Sequence, residues 1–290
     1  MQLITGKTKL LGVIGNPVEH SLSPVMHNAA IALLGLNYVY LPFPVKSADL
    51  PTAIAGFTAI DLVGFNITIP HKQGIIPLLA AVSPEAAMVG AVNTAWHTPE
   101  GWQGTNTDVD GFIAPLQTMS RDWSRVLPVV LGNGGAARAV IVGLAQLGCR
   151  EIHVVGRNPD KLAQFYQSWQ NIDQINSLLK IHNWDGLKSL LPVAELLVNT
   201  TPVGMSPSQD RSPVNESLMP KLQPGAIAYD LIYTPNPTRF LKLAQKQGAV
   251  AIDGLEMLVQ QGAKALEIWL QQPAPVEVMR DSLKQYLGMD

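Results

Sequence analysis

The sequence predicts an α/β protein: an N-terminal α/β domain, then a doubly wound parallel sheet with helical crossovers, then helices that return to the first domain. Three observations predict it. Between residues 126 and 247, short apolar runs of strand length alternate with helix-length segments, the rhythm of parallel strands joined by crossovers. The run Leu131-Gly132-Asn133-Gly134-Gly135-Ala136-Ala137 joins one such strand to one such helix midway along the chain. From residue 255 onward the pattern becomes wholly helical, with Leu255, Leu258, Val259, Gly262, Ala263, Leu266, Trp269 and Leu270 on one helical face.

In order, residues 9–14 read as a strand. A helix follows, with Ser23 as N-cap, Pro24 at its first position and Gly35 as its stop. Residues 38–43 form a second strand, 49–55 a short helix, and 63–69 a third strand ended by Pro70. A hairpin-like polar stretch covers 98–104. Strands at 126–131, 151–155, 195–199 and 226–231 alternate with helices at 136–147, 160–169 and 238–247. Gly148 stands at the end of the first of these helices. A final helix spans 276–286, after Pro273 and Pro275. Domain boundaries are expected near 108 and 254: residues 1–108 with 254–290 in one domain, 109–253 in the other, with a cleft between.

Composition narrows the function. The chain has 290 residues, 47% hydrophobic and 14% charged, with a net charge of -2. That describes a well-packed globular protein. No basic stripe points to nucleic acid, no apolar run is long enough to span a bilayer, and no signal architecture opens the chain. A cytoplasmic location follows as an expectation. Cys149 is the single cysteine, so no intrachain disulfide framework exists, and its apolar neighbours suggest a buried bystander. The six histidines show no metal-ligand spacing. The sequence leaves the oligomeric state between monomer and homodimer.

The glycine-rich turn carries the cofactor argument. Gly132, Gly134 and Ala137 fit G-x-G-x-x-G/A, with Asn133, Gly135 and Ala136 completing the turn. Such a turn lets backbone approach a pyrophosphate, and the following helix offers free N–H groups and the positive end of its dipole. At the end of the second strand an NAD site would place an acid to bind the ribose 2′-hydroxyl. This chain has Gly156-Arg157-Asn158, with no acid until Asp160. A guanidinium suits a 2′-phosphate, and Lys161 would add a second positive charge. The expected cofactor is NADP.

Four polar clusters interrupt the first domain. Ser21 and Ser23 sit two residues apart ahead of a helix, a plausible carboxylate cradle. Asn66-Ile67-Thr68-Ile69-Pro70-His71-Lys72 ends a strand with a hydroxyl and then a lysine. Gly90-Ala91-Val92-Asn93-Thr94 offers an amide among small residues, and Asn106-Thr107-Asp108 places a carboxylate at the expected hinge. Asp108 could equally cap the helix that begins beside it.

In order along the chain, these clusters and the glycine turn resemble the shikimate dehydrogenase family. The resemblance continues in Asn199-Thr200-Thr201-Pro202-Val203-Gly204-Met205, in Tyr229-Asp230-Leu231-Ile232-Tyr233 and in Asp253-Gly254-Leu255-Glu256-Met257, reaching Gln261. It covers nearly the whole chain. It implies a substrate domain joined to a Rossmann-type NADP-binding domain, and reduction of 3-dehydroshikimate to shikimate in the route to aromatic amino acids. By motif position, Ser21 and Ser23 would hold the substrate carboxylate. Thr68, Asn93 and Gln261 would bind ring hydroxyls, with Tyr233 lining the pocket. Lys72 and Asp108 would be the catalytic pair, Asp108 also touching substrate. Gly132, Asn133, Gly134, Gly135 and Ala136 would cradle the pyrophosphate. Arg157, Asn158 and Lys161 would take the 2′-phosphate end, and Leu231 and Gly254 the nicotinamide end.

Two positions depart from the family pattern. Gly156 stands where an asparagine usually precedes the arginine, and Pro84 stands where an acid often contacts cofactor. Two other readings compete: a quinate/shikimate dehydrogenase that accepts NAD, and a non-catalytic module that binds shikimate. Oxidation of quinate would mark the first. Shikimate binding without turnover would mark the second.

Overall fold

The computed structural model describes residues 3–289. The chain forms two compact units, one running to Gly111 and resuming at Val259, the other Phe112–Leu258. In chain order the first stretch contains β1 (Lys9–Gly15), α1 (Ser23–Leu33), β2 (Tyr38–Pro44), α2 (Leu50–Ala59), β3 (Gly64–Ile67), α3 (His71–Gly74), β4 (Ala81–Val82), α4 (Pro84–Val89), β5 (Thr94–Thr98), β6 (Gly101–Thr105) and α5 (Asp108–Gln117). Next come β7 (Pro128–Leu131), α6 (Gly135–Gln146), β8 (Ile152–Gly156), α7 (Pro159–Gln167), α8 (Asp173–Asn176), β9 (Leu179–Asn183), α9 (Leu187–Leu190), β10 (Leu196–Asn199), β11 (Ile227–Asp230), α10 (Arg239–Gln245) and β12 (Val250–Ile252). Helices α11 (Gly254–Leu270) and α12 (Val276–Leu287) close the chain.

The first unit is built on a mixed sheet in the order β2-β1-β3-β5-β6-β4. β1 runs parallel to β2 and β3, whereas β5 runs antiparallel to β3 and β6. Its core gathers Ile14, Leu62, Phe65, Ile67 and Trp102. The start of α1 differs from the sequence expectation. Leu22, not Ser23, is the cap residue, and Ser23 is already helical. The Ser21 hydroxyl instead accepts the Ser23 amide at 3.3 Å. α2 runs to Ala59, beyond the expected 55, because Leu50, Ile54 and Phe57 keep one face buried. β3 stops at Ile67, two residues before the expected end. After it the Thr68 amide still bonds Ile14, while Ile69 is exposed.

The second unit is a parallel sheet in the order β12-β11-β10-β7-β8-β9. β7, β8, β10 and β11 are buried along their whole length, as strands covered on both faces must be. Neighbours on the two sides of β7 lie in opposite directions along the chain, which makes the carboxyl ends of β7 and β10 a topological switch point. The strands the sequence did not disclose, β9 and β12, are the two edges of this sheet. Edge strands are short and half-solvated, so Leu179-Lys180-Ile181-His182-Asn183 shows no continuous apolar run. Among the described residues no helix is long and apolar enough to cross a membrane. Cys149 is buried, and burial raises its thiol pKa to about 11.

One buried group gives the first unit a pH dependence. The His27 ring stacks on Tyr40 at 4.3 Å and is fully buried. Burial lowers its pKa from 6.5 to about 3, with Asn66 opposing only in part. The folded unit therefore keeps His27 neutral while the unfolded chain takes up a proton. Its stabilising effect is complete above pH 6.5 and is lost progressively as pH falls toward about 3. Acidifying from about pH 7.5 to about pH 5 should cost the unit on the order of 2 kcal/mol through this residue. Urea midpoints at the two pH values, compared between the natural protein and His27→Phe, check this. Equal slopes in the two proteins would remove His27 as the cause.

Candidate active site

In the first unit the structure gathers a lysine, a carboxylate and two amides. Lys72 stands in α3 directly after the β3 end, and its carbonyl accepts the Val92 amide at 2.8 Å. Asp108 opens α5. Lys72 Nζ donates to Asp108 Oδ2 at 2.5 Å. Asn93 Nδ2 donates to the other oxygen, Oδ1, at 2.8 Å. Asn93 also meets Gln261 Oε1 at 3.4 Å. Both carboxylate oxygens of Asp108 are thus engaged by side chains. Its backbone N–H donates to Asn106 Oδ1, so Asn106 holds the start of α5. The Lys72 and Asp108 side chains are 28% and 16% exposed, enough access for a ligand yet well short of full solvation.

A second layer fixes Asn93. Its Oδ1 accepts the Thr107 amide at 2.7 Å. Its carbonyl accepts both the Ile67 amide and Asn66 Nδ2. Asn66 in turn bonds Thr94 Oγ1 at 3.0 Å and accepts the Tyr40 hydroxyl at 2.7 Å. Burial raises the Tyr40 pKa well above its ordinary value, the Ser23 hydroxyl opposing it, so Tyr40 stays a neutral donor. Hydrogen bonds therefore run from Tyr40 through Asn66 to Asn93. The sequence assigns Tyr40 no part in the site, and shows Asn66 and Thr107 only as members of motifs, with no role of their own. The available signal was Asn66 itself, a polar residue inside the otherwise apolar, wholly buried β3. Thr68 is half-buried, and its hydroxyl makes no hydrogen bond among the described residues. Ser21 is half-buried, and among the described residues its hydroxyl makes only the local contact with Ser23.

The second unit presents the glycine turn. Gly132 adopts φ +107, a conformation that L side chains rarely take, and any Cβ there would crowd Thr200 Oγ1 at 2.8 Å. The turn is tied down by the Gly132 amide donating to Val155 and by Thr200 Oγ1 donating to Leu131. α6 begins immediately after Gly134, and open space surrounds the positions where Gly134 and Gly135 would carry side chains. Free helix-start amides beside open space form a cradle that accepts a pyrophosphate, so these residues fit a dinucleotide. Next to the turn, Asn133 packs against Gly156. Asn158 caps α7 through the Lys161 amide at 2.9 Å.

Leu231 and Gly254 come together. A Cβ on Gly254 would collide with the Leu231 carbonyl, so this approach requires glycine. Beneath them Asp230 accepts from Asn199 at 2.9 Å, Thr238 at 2.7 Å and the Ile232 amide at 3.1 Å. Burial still raises its pKa to about 6. Tyr233 is half-buried in the same segment, and burial raises its pKa too. No group of three or more His, Cys, Asp or Glu side chains that could hold a metal occurs among the described residues.

Fold and site together define a two-unit α/β protein with a substrate-type domain and a Rossmann-like dinucleotide domain. Comparison with known proteins narrows this. A profile of the shikimate dehydrogenase substrate binding domain matches residues 13–95, and one of the shikimate 5′-dehydrogenase C-terminal domain matches 254–284. A Gloeothece citriformis protein named shikimate dehydrogenase (NADP(+)) is 65% identical over 100% of both chains. The solved shikimate 5-dehydrogenase of Listeria monocytogenes, in complex with shikimate and NAD, superposes with a TM-score of 0.89 at 35% identity, covering 98% of this chain and 99% of that one. A shikimate dehydrogenase in complex with NADP+ superposes with a TM-score of 0.87 at 36% identity, covering 98% of each. The chain belongs to the shikimate dehydrogenase family.

Proposed function

We propose that this protein catalyses the reversible, NADP-dependent reduction of 3-dehydroshikimate to shikimate. The observation that carries the reading is the Lys72–Asp108–Asn93 arrangement: an ammonium held by a carboxylate whose second oxygen is itself fixed. The nicotinamide cofactor supplies hydride. The developing alkoxide on the substrate ring then needs a positive donor, and Lys72 is that donor, stabilising the charge and delivering the proton. Asp108 orients Lys72, and Asn93 and Gln261 offer amides to ring hydroxyls. Ser21 and Ser23 take the carboxylate, Thr68 a ring hydroxyl, and Tyr233 lines the pocket. Residues 1–108 with 254–290 form the substrate domain, and 109–253 the NADP domain. Gly132, Asn133, Gly134, Gly135 and Ala136 hold the pyrophosphate, and Arg157 the 2′-phosphate. We place the enzyme in the cytoplasm, as a monomer or a homodimer, which sedimentation equilibrium distinguishes.

A spectrophotometric assay of shikimate oxidation, run in parallel with NADP and NAD, tests substrate class, reaction and cofactor together. Catalytic efficiency with NAD equal to or above that with NADP would overturn the cofactor assignment. Turnover of quinate but not shikimate would overturn the substrate. Ser21→Ala should appear mainly in KM for shikimate, raised about 10- to 100-fold, because a hydrogen bond to a charged group is made before and during reaction. A fall confined to kcat would remove Ser21 from substrate binding.

A further inference from the structure

The second unit holds a pocket of about 510 Å³, large enough for a nucleoside phosphate, whose walls include Arg157, Trp184, Thr201, Arg211, Ser212 and Arg239. Its position follows from Thr201, which closes against the Gly132 turn on one side and lines the pocket on the other. The pocket therefore begins where the pyrophosphate cradle ends.

Its three guanidinium groups are not equivalent. Arg239 is neutralised by Glu216 at 2.6 Å. Arg157 lies over the Trp184 ring at 5.9 Å, an arrangement that presents a flat, positively charged face. Neither Arg157 nor Arg211 makes an ion pair among the described residues. An anion of more than one charge bound in this pocket could meet both Arg157 and Arg211, neither of which is held by a carboxylate among the described residues. Asp210, beside Arg211, also lines the pocket and limits which anions are accepted. Lys161, the second cation of the sequence expectation, is absent from this wall. It sits inside α7, with its amide taken by the Asn158 cap. Nor does Gly156 leave a gap: Leu162 and Asn133 border the space that a side chain there would occupy.

We propose that Arg211 is the second guanidinium on the 2′-phosphate of NADP, and that Arg211, rather than Lys161, sets the preference for NADP over NAD beside Arg157. Arg211 comes from the loop after β10, far from Arg157 in sequence, so the pair forms only in the folded unit. The inference rests on the NADP assignment made above.

Isothermal titration of the full chain with NADP+ and with NAD+ tests it without reference to turnover. Arg211→Ala should weaken NADP+ binding about 10- to 100-fold, the effect of losing a charge-assisted phosphate contact, while the NAD+ affinity stays within about twofold. Lys161→Ala should weaken NADP+ by less than Arg211→Ala does. Arg211→Ala with unchanged NADP+ affinity overturns the proposal. So does an equal loss for both dinucleotides, which would mark Arg211 as a loop residue of structural use only. So does a larger NADP+ loss in Lys161→Ala. If the natural protein itself binds NAD+ as tightly as NADP+, the NADP assignment fails, and this proposal with it. A natural preference for NADP+ that survives Arg211→Ala sinks this proposal alone.

Discussion

Lys72→Ala should lower kcat for shikimate oxidation about 100- to 10,000-fold, the usual effect of removing a positioned general acid. That corresponds to roughly 3–5 kcal/mol of lost barrier reduction. KM for shikimate should move little, because the carboxylate cradle and the ring contacts remain. The fold should tolerate the change. The Lys72 carbonyl keeps its bond to the Val92 amide. Asp108, relieved of the ammonium, still bonds Asn93. Lys72→Met separates charge from bulk: it keeps the aliphatic stem and should be as slow as the alanine variant. Asp108→Asn should also slow turnover, because an amide no longer balances the ammonium charge. A Lys72→Ala enzyme with near-normal kcat would take Lys72 out of the chemistry and leave the ion pair a structural one. A large rise in KM with intact kcat would make Lys72 a substrate-binding residue instead.

The parts of this arrangement that could be read from sequence are those with local rules. The Gly132 turn announces itself because a strand, a positive-φ glycine and a helix start must be contiguous. The buried strands β7, β8, β10 and β11 show as apolar runs because both faces are covered. What stayed hidden depends on contacts between distant segments. Asn93 meets Gln261 across 168 positions of sequence, and nothing local to either marks the other as its partner. Tyr40 looks like any strand tyrosine until folding brings its hydroxyl to Asn66. Lys161 and Arg211 show the converse. Sequence distance from Arg157 favours Lys161, whereas the wall of the folded pocket contains Arg211. Ser23 was misread as a helix cap for a related reason. The hydroxyl that meets the helix-start amide belongs to Ser21, and a cap rule alone does not say which of two neighbouring serines is used.

In the proposed function, Asn93 ties substrate binding and chemistry to one framework. It fixes the free oxygen of Asp108, touches Gln261, and is held by Thr107 and by the Tyr40–Asn66 contacts. Movement of the Tyr40 layer should therefore disturb Lys72 without any contact between them. That layer is packed by α1 and by the part of α11 beyond Val259, which meet around His27, Tyr40 and Trp269.

Trp269 is where that packing is most concentrated. It is 6% exposed, its ring lies 5.6 Å from His27 and 6.0 Å from Tyr40, and its Nε1 donates to the Ala95 carbonyl at 2.9 Å. The indole also lies over Gly64, where any side chain would collide with it. Trp269→Ala removes the ring, opens a cavity against β3 and β5, and leaves a carbonyl without its donor. A buried Trp→Ala change costs about 3–5 kcal/mol, a large share of the 5–15 kcal/mol that holds a typical domain. Urea unfolding followed by far-UV circular dichroism should show the first unit's transition at a much lower midpoint. The second unit's transition should be unmoved, since Trp269 belongs to the first unit's packing. Trp269→Phe keeps an aromatic ring and loses only the donor and part of the volume, so it should fall between the two. The pH arm links the two effects. With the cavity open, water can reach His27, its pKa should rise toward 6.5, and the acid-induced loss of stability should shrink. A Trp269→Ala protein that unfolds at the natural midpoint would show that the aromatic stack does not hold α11 to the first sheet. The positioning of Asn93 would then have to come from its strand partners Ile67 and Thr105 and from Thr107.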